Sequence, residues 1–156
     1  MIMKRVIVRS IHEAFDYVMA HFYPAGLKEL AEAQDTYAVI SIQDTHTGGF
    51  GVEFTENEFC EGVLNLSFDD IVKPVDGAVL FDEEMAHEII DFILLNRDCE
   101  TLLVHCYGGQ SRSMAVGAFA VGMLGGDNTR YFTEKNPNMH VYDTLMRVWN
   151  SRQGRP

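Results

Sequence analysis

The chain has 156 residues, which suits one domain and leaves too little for two of ordinary size. Hydrophobic residues make up 47% and charged residues 22%, a balance that supports a packed core and excludes disorder and collagen-like repeats. The formal net charge is -11, which argues against a general binder of nucleic acid or anionic membrane, because both partners require a basic footprint. No apolar run approaches the roughly 18 residues of a membrane span. Near the start only Val6-Ile7-Val8 is apolar, too little for the core of a signal peptide, so a cytoplasmic location is the expectation.

Lys4 to Val8 is β-branched and predicts a strand. Ile11, Ala14, Phe15, Val18, Met19 and Phe22 recur at helical spacing behind Ser10, an N-cap type, and Pro24 closes that helix. Leu27 to Ala33 predicts a short helix and Tyr37 to Ile42 a second strand. Asp44 to Gly51 is a loop that could line a site, and Val63 to Phe68 alternates as a third strand. Asp82-Glu83-Glu84 places acids at a helix start, followed by the apolar face Ala86, Ile89, Ile90, Ile93 and Leu94. Thr101 to Val104 is wholly apolar after its threonine, as expected of a buried central strand. Met114 to Leu124 is small and apolar throughout, a buried helix stopped by Gly125-Gly126. Pro137 to Asn150 predicts a last amphipathic helix, with Asn136-Pro137-Asn138 as its turn and cap, and Ser151 to Pro156 a frayed end. Strands alternating with helices predict an α/β fold with a central, mainly parallel sheet of four to five strands flanked by helices.

Three cysteines, Cys60, Cys99 and Cys106, with no CxxC pair, fit neither a disulfide framework nor a structural zinc site. Cys60 and Cys99 read as small buried hydrophobes, although Cys60 stays open as a resolving thiol. Cys106 differs, because it opens the segment His105-Cys106-Tyr107-Gly108-Gly109-Gln110-Ser111-Arg112-Ser113, where a buried strand gives way to a helix. Ligands of open α/β sheets bind at such carboxyl ends of strands, and a helix N-terminus offers N–H groups to an anion. Gly108 and Gly109 let the loop curl so that backbone N–H groups converge. Arg112 supplies a planar fork for two phosphate oxygens. These donors favour a thiolate at Cys106 beneath a bound phosphate, poised to attack phosphorus. Ser113 is placed to hydrogen-bond the sulfur, His105 to orient the loop, and Tyr107, Gln110 and Ser111 to shape the pocket.

This segment resembles the His-Cys-x5-Arg-Ser/Thr signature of the cysteine-dependent protein tyrosine phosphatases, and its Ser111-Arg112-Ser113 ending is similar to the dual-specificity and small bacterial-type branch. The resemblance implies a single phosphatase domain over residues 1–156 with a catalytic core at about 36–150. It also implies a cysteinyl-phosphate intermediate on Cys106, Arg112 as phosphate clamp and no metal or other cofactor. It further implies a proton-donating aspartate on a loop a few dozen residues before the cysteine. Asp70 and Asp69 lie 36 and 37 residues before Cys106, and the alternating Leu66-Ser67-Phe68 ahead of them aligns Asp70 as the donor, with Asp69 holding the loop or taking its place. The implied partner is a phosphorylated protein or a small aryl phosphate. Loop positions Tyr107, Gly108, Gln110 and Ser111 include no lysine or arginine, unlike family members that act on inositol lipids, so a lipid substrate and RNA 5′-phosphates are disfavoured. Two other readings of the loop are a phosphate-binding module without turnover and a rhodanese- or arsenate-reductase-like cysteine enzyme.

Overall fold

The computed structural model describes residues 3, 5–23, 35–46 and 53–155. Four strands, β1 (Arg5–Ser10), β2 (Tyr37–Gln43), β3 (Cys60–Ser67) and β4 (Thr101–Cys106), form one sheet in the order β1-β4-β2-β3. Every pairing is parallel. The helices are α1 (Ile11–Phe22), α2 (Glu83–Leu95), α3 (Arg112–Met123), α4 (Thr129–Thr133) and α5 (Met139–Arg152).

A parallel sheet must be covered on both faces, and the residue alternation along the central strands shows how. Ala38, Ile40 and Ile42 of β2 and Leu102 and Val104 of β4 face a large core shared with Ala86, Ile89, Ile90 and Ile93 of α2. Ala115, Val116 and Phe119 of α3 and Val141, Leu145 and Val148 of α5 complete that layer. The opposite side chains, Tyr37, Val39 and Leu103, meet Ala14, Val18 and Phe22 of α1. Gly117 lets α3 sit close on β1, since a Cβ there would collide with the Val8 side chain.

The predicted elements that fall on described residues are present with shifted ends. β1 belongs to the same sheet as the rest and α1 covers the face opposite α2, α3 and α5, with Ser10 in register beside Cys106. Ser10 caps α1 in a reciprocal capping box with Glu13, and Asp82 caps α2 through the Met85 N–H. β3 begins at Cys60, earlier than its alternating stretch, because the register shifts as Tyr37 pairs with Cys60 and Ala38 with Gly62, leaving Glu61 as an extra residue. α5 runs to Arg152 rather than fraying at Ser151, because the Arg152 guanidinium donates to Asp91 Oδ1 at 2.7 Å. The helix predicted over Leu27–Ala33 lies outside the described residues, as does the Thr47–Gly51 part of the loop after β2. Among the described residues no helix is long and apolar enough to cross a membrane.

Candidate active site

β4 ends at Cys106 and α3 begins at Arg112, so the chain turns back over the carboxyl edge of the sheet within residues 107–111. Gly109 makes that turn possible. Its φ of 69° lies in the left-handed region, and a Cβ there would run into the backbone of Arg9 and Ser10 at the end of β1. The loop is also tied to α1, where the Ile11 N–H donates to the Tyr107 carbonyl.

The Cys106 thiol sits at the base of this turn and is 2% exposed. The Gly109 N–H donates to its Sγ at 3.2 Å, and the Ser113 hydroxyl lies 3.0 Å from the same sulfur. Arg112 is buried on the other side of the loop. Its Nη1 donates to the Phe68 carbonyl at 2.8 Å and pairs with Asp44 Oδ1 at 2.6 Å. Its Nε is buried and has no hydrogen-bond partner among the described residues. A buried guanidinium N–H left in this way carries a desolvation cost that an anion would relieve.

The two adjacent aspartates are placed very differently. Asp69 is buried; it accepts the Thr45 hydroxyl at 2.7 Å, the Thr45 N–H at 3.1 Å and the Val79 N–H at 2.7 Å. The Thr45 hydroxyl first, and the Val79 N–H second, hold its carboxyl down to about 2. Asp70 is exposed and leans on the Cys106 loop: its Oδ1 accepts the Ser111 hydroxyl at 2.9 Å and the Asn138 side-chain amide at 2.8 Å.

His105 is fully buried with its ring tilted against Phe54, and burial pushes its imidazole down to about 4. It is therefore neutral near pH 7. Its Nδ1 lies 3.4 Å from the Cys106 carbonyl. Tyr107 is exposed on the rim, and Gly108, Gly109 and Gln110 border a groove of about 1130 Å³ between β1, α3 and α4 that neither Cys106 nor Arg112 lines. The Ser111 side chain is turned to Asp70, while its carbonyl accepts the Ala115 and Asn138 N–H groups.

Two residues outside the motif belong to the site. Asp44, in the loop after β2, is the ion partner of Arg112. Asn138 caps α5 through the Val141 N–H, as its place before the last helix predicts, and also reaches Asp70. Cys60 and Cys99 lie at the opposite end of the sheet. Cys60 is in register with Tyr37 and Tyr37 with Thr101, about 16 Å along the strand from Cys106. That spacing is well beyond disulfide reach, so neither is a resolving thiol for Cys106. Burial raises both of their thiols, Cys99 to about 12. Among the described residues no cluster of three histidine, cysteine or carboxylate side chains is arranged to hold a metal ion.

No protein-family model matches the chain, and no curated protein sequence matches it. Solved structures do. The human tyrosine phosphatase-like serine/threonine/tyrosine-interacting protein matches with a TM-score of 0.54 at 18% identity, covering 86% of this chain and 89% of its own. DUSP15 matches with a TM-score of 0.54 at 17% identity, covering 96% and 86%. PTPMT1 in complex with PI(5)P matches with a TM-score of 0.53 at 14% identity, covering 96% and 93%. At these identities the likeness is one of architecture: the chain has an α/β fold of the kind found in the tyrosine and dual-specificity phosphatases.

Proposed function

We propose that the protein is a phosphatase that hydrolyses phosphate monoesters through a cysteinyl-phosphate intermediate, with protein phosphotyrosine as its first substrate and phosphoserine or phosphothreonine as further ones. The observation that carries this reading is the convergence at one loop. The Gly109 N–H and Ser113 hydroxyl meet the Cys106 sulfur, while the buried Arg112 keeps its Nε without a partner among the described residues. A bound phosphate supplies the acceptor that Arg112 lacks.

The Cys106 thiolate attacks phosphorus, forming the S–P bond as the P–O bond to the alcohol or phenol breaks. Arg112 and the loop N–H groups stabilise the charge that builds on the equatorial oxygens. Asp70 gives its proton to the leaving oxygen, then as a carboxylate takes one from water, whose oxygen attacks phosphorus and releases the thiolate. Ser113 donates to the departing sulfur. The pinning of Asp69 supports Asp70 in this role. The Asp69 carboxyl is occupied by three donors from Thr45 and Val79, whereas Asp70 lies against the Cys106 loop through Ser111.

The test is hydrolysis of 4-nitrophenyl phosphate in the presence of a chelator, together with acid quench during turnover. The wild-type chain releases phosphate and carries label on Cys106. Cys106→Ser loses about 10³-fold or more in kcat and carries none. Retained turnover in that variant would falsify the mechanism. One neighbour is named as a phosphatase-like interacting protein, so turnover and not phosphopeptide binding alone is the quantity to measure. PI(5)P serves as the comparison substrate; the uncharged side chains at 107–111 favour the aryl phosphate over it.

A further inference from the structure

Asn138 is 4% exposed and belongs to three structures at once. Its Oδ1 accepts the Val141 N–H at 3.1 Å and caps α5. Its Nδ2 donates to Asp70 Oδ1 at 2.8 Å and to the Ile71 carbonyl at 3.1 Å. Its backbone N–H donates to the Ser111 carbonyl of the Cys106 loop at 3.1 Å. The partners fix the orientation of the amide. A backbone N–H on one side demands the oxygen, and a carboxylate and a carbonyl on the other demand the two amide hydrogens. Every donor and acceptor of the side chain facing these groups is used.

We infer that Asn138 is the positioning residue that selects which oxygen of Asp70 carries the transferable proton. This rests on the assignment of Asp70 as proton donor. Asp70 Oδ1 already receives the Asn138 amide and the Ser111 hydroxyl, so a proton on that oxygen would face two donor hydrogens. The geometry directs a transferable proton to Oδ2. Because Asn138 also holds the next residue, Ile71, and the carbonyl of Ser111, it fixes the acid loop and the phosphate loop to the same end of α5. The carboxyl is then aimed before substrate arrives.

A cap alone would serve stability and nothing else, and the substitutions separate the two roles. Asn138→Asp keeps an acceptor for the Val141 N–H but turns an acceptor toward Asp70 and the Ile71 carbonyl. Asn138→Ser keeps a capping hydroxyl too short to reach Asp70. Both are compared with Asp70→Asn on phenyl phosphate, whose leaving group needs a proton, and on 4-nitrophenyl phosphate, whose leaving group needs it far less. Circular dichroism and inhibition by inorganic phosphate confirm that each variant is folded with its phosphate loop intact.

The expected result is a loss of about tenfold or more in kcat/KM on phenyl phosphate for both Asn138 variants, because kcat/KM reports P–O cleavage and not the later hydrolysis in which Asp70 acts as base. The loss in kcat/KM on 4-nitrophenyl phosphate is expected to stay under about threefold, a smaller version of the Asp70→Asn pattern. In the double variant Asn138→Asp with Asp70→Asn, the second change adds less than about twofold, since it has no donor left to aim. Equal losses on both substrates, or none, would reduce Asn138 to a cap and overturn the inference. If Asp70→Asn itself shows no dependence on the leaving group, the assignment of Asp70 fails, and this inference fails with it.

Discussion

Asp44 poses a chemical question at the scale of single residues, because it puts a carboxylate 2.6 Å from the arginine proposed to receive an anion. Among the described residues, the partners of the guanidinium meet it at Nη1, Asp44 on one side and the Phe68 carbonyl on the other. Held there, the planar fork cannot swing about its long side chain, and Nε stays inside the fold without an acceptor among the described residues. An arginine otherwise loses considerable rotamer entropy on ordering, so a partner that fixes it in advance favours the transition state more than it weakens ground-state binding. Asp44→Ala is accordingly expected to lower kcat by about 10- to 100-fold. Inhibition by inorganic phosphate should not weaken, since the substitution removes a repelling charge. Parallel changes in kcat and phosphate affinity would show that Asp44 does not act by orienting Arg112. Arg112→Lys should be worse than Asp44→Ala, because an ammonium cannot bond Phe68 and still present a second parallel N–H.

The Cys106 loop is an element whose shape depends on a strand far from it in sequence. Gly109 combines a left-handed φ with a Cβ direction blocked by the Arg9 and Ser10 backbone, and backbone cannot step aside as a flexible side chain can. Gly109→Ala should destabilise the protein by about 2–4 kcal/mol in urea unfolding and abolish inhibition by inorganic phosphate. A stable variant that still binds phosphate would mean that the loop is not shaped by β1. This dependence also explains what could be read in advance. The residues from His105 to Ser113 announce their chemistry because the loop, its glycines and its arginine are contiguous, and the near-continuous apolar runs of β2 and β4 announce buried strands. The contribution of β1 to the loop, the Asp44–Arg112 pair and the reach of Asn138 to Asp70 join residues 68 or more apart, or close across a sheet edge, and leave no local pattern. α4 was missed for another reason. It has five residues, too few for an apolar period, and of these Tyr131 and Phe132 hold it, Tyr131 against the core and Phe132 edge-on to Tyr142. The two aspartates were legible as a pair but not as a division of labour, since only the folded chain shows Thr45 and Val79 closing on Asp69.

At the scale of the whole molecule, two electrostatic features set how the protein responds to its medium. His105 is buried and pushed from 6.5 to about 4, while in the unfolded chain it titrates normally. Between those values the unfolded state binds the proton and the folded state does not, so stability present above pH 6.5 is lost as pH falls toward 4, by up to about 3 kcal/mol from this residue. His105→Gln should flatten that part of the urea-unfolding profile relative to wild type, whatever it does to stability at pH 7; an unchanged slope would exclude His105 as its source. The second feature is the net charge of -11 around a site meant for an anion. At about 0.01 M salt the screening length is roughly 30 Å, so the surface as a whole repels a phosphorylated, acidic substrate. Near 0.15 M it falls to about 8 Å, and only the nearest groups, Arg112 and the loop N–H donors against Asp44 and Asp70, still act on it. For a phosphotyrosine peptide flanked by acidic residues, kcat/KM should therefore rise several-fold as salt increases over this range. For a peptide flanked by lysines it should fall, and for 4-nitrophenyl phosphate it should change least. A fall for the acidic peptide would mean that the approach to Cys106 is governed by a positive field extending well beyond the loop, contrary to the charge distribution of the chain.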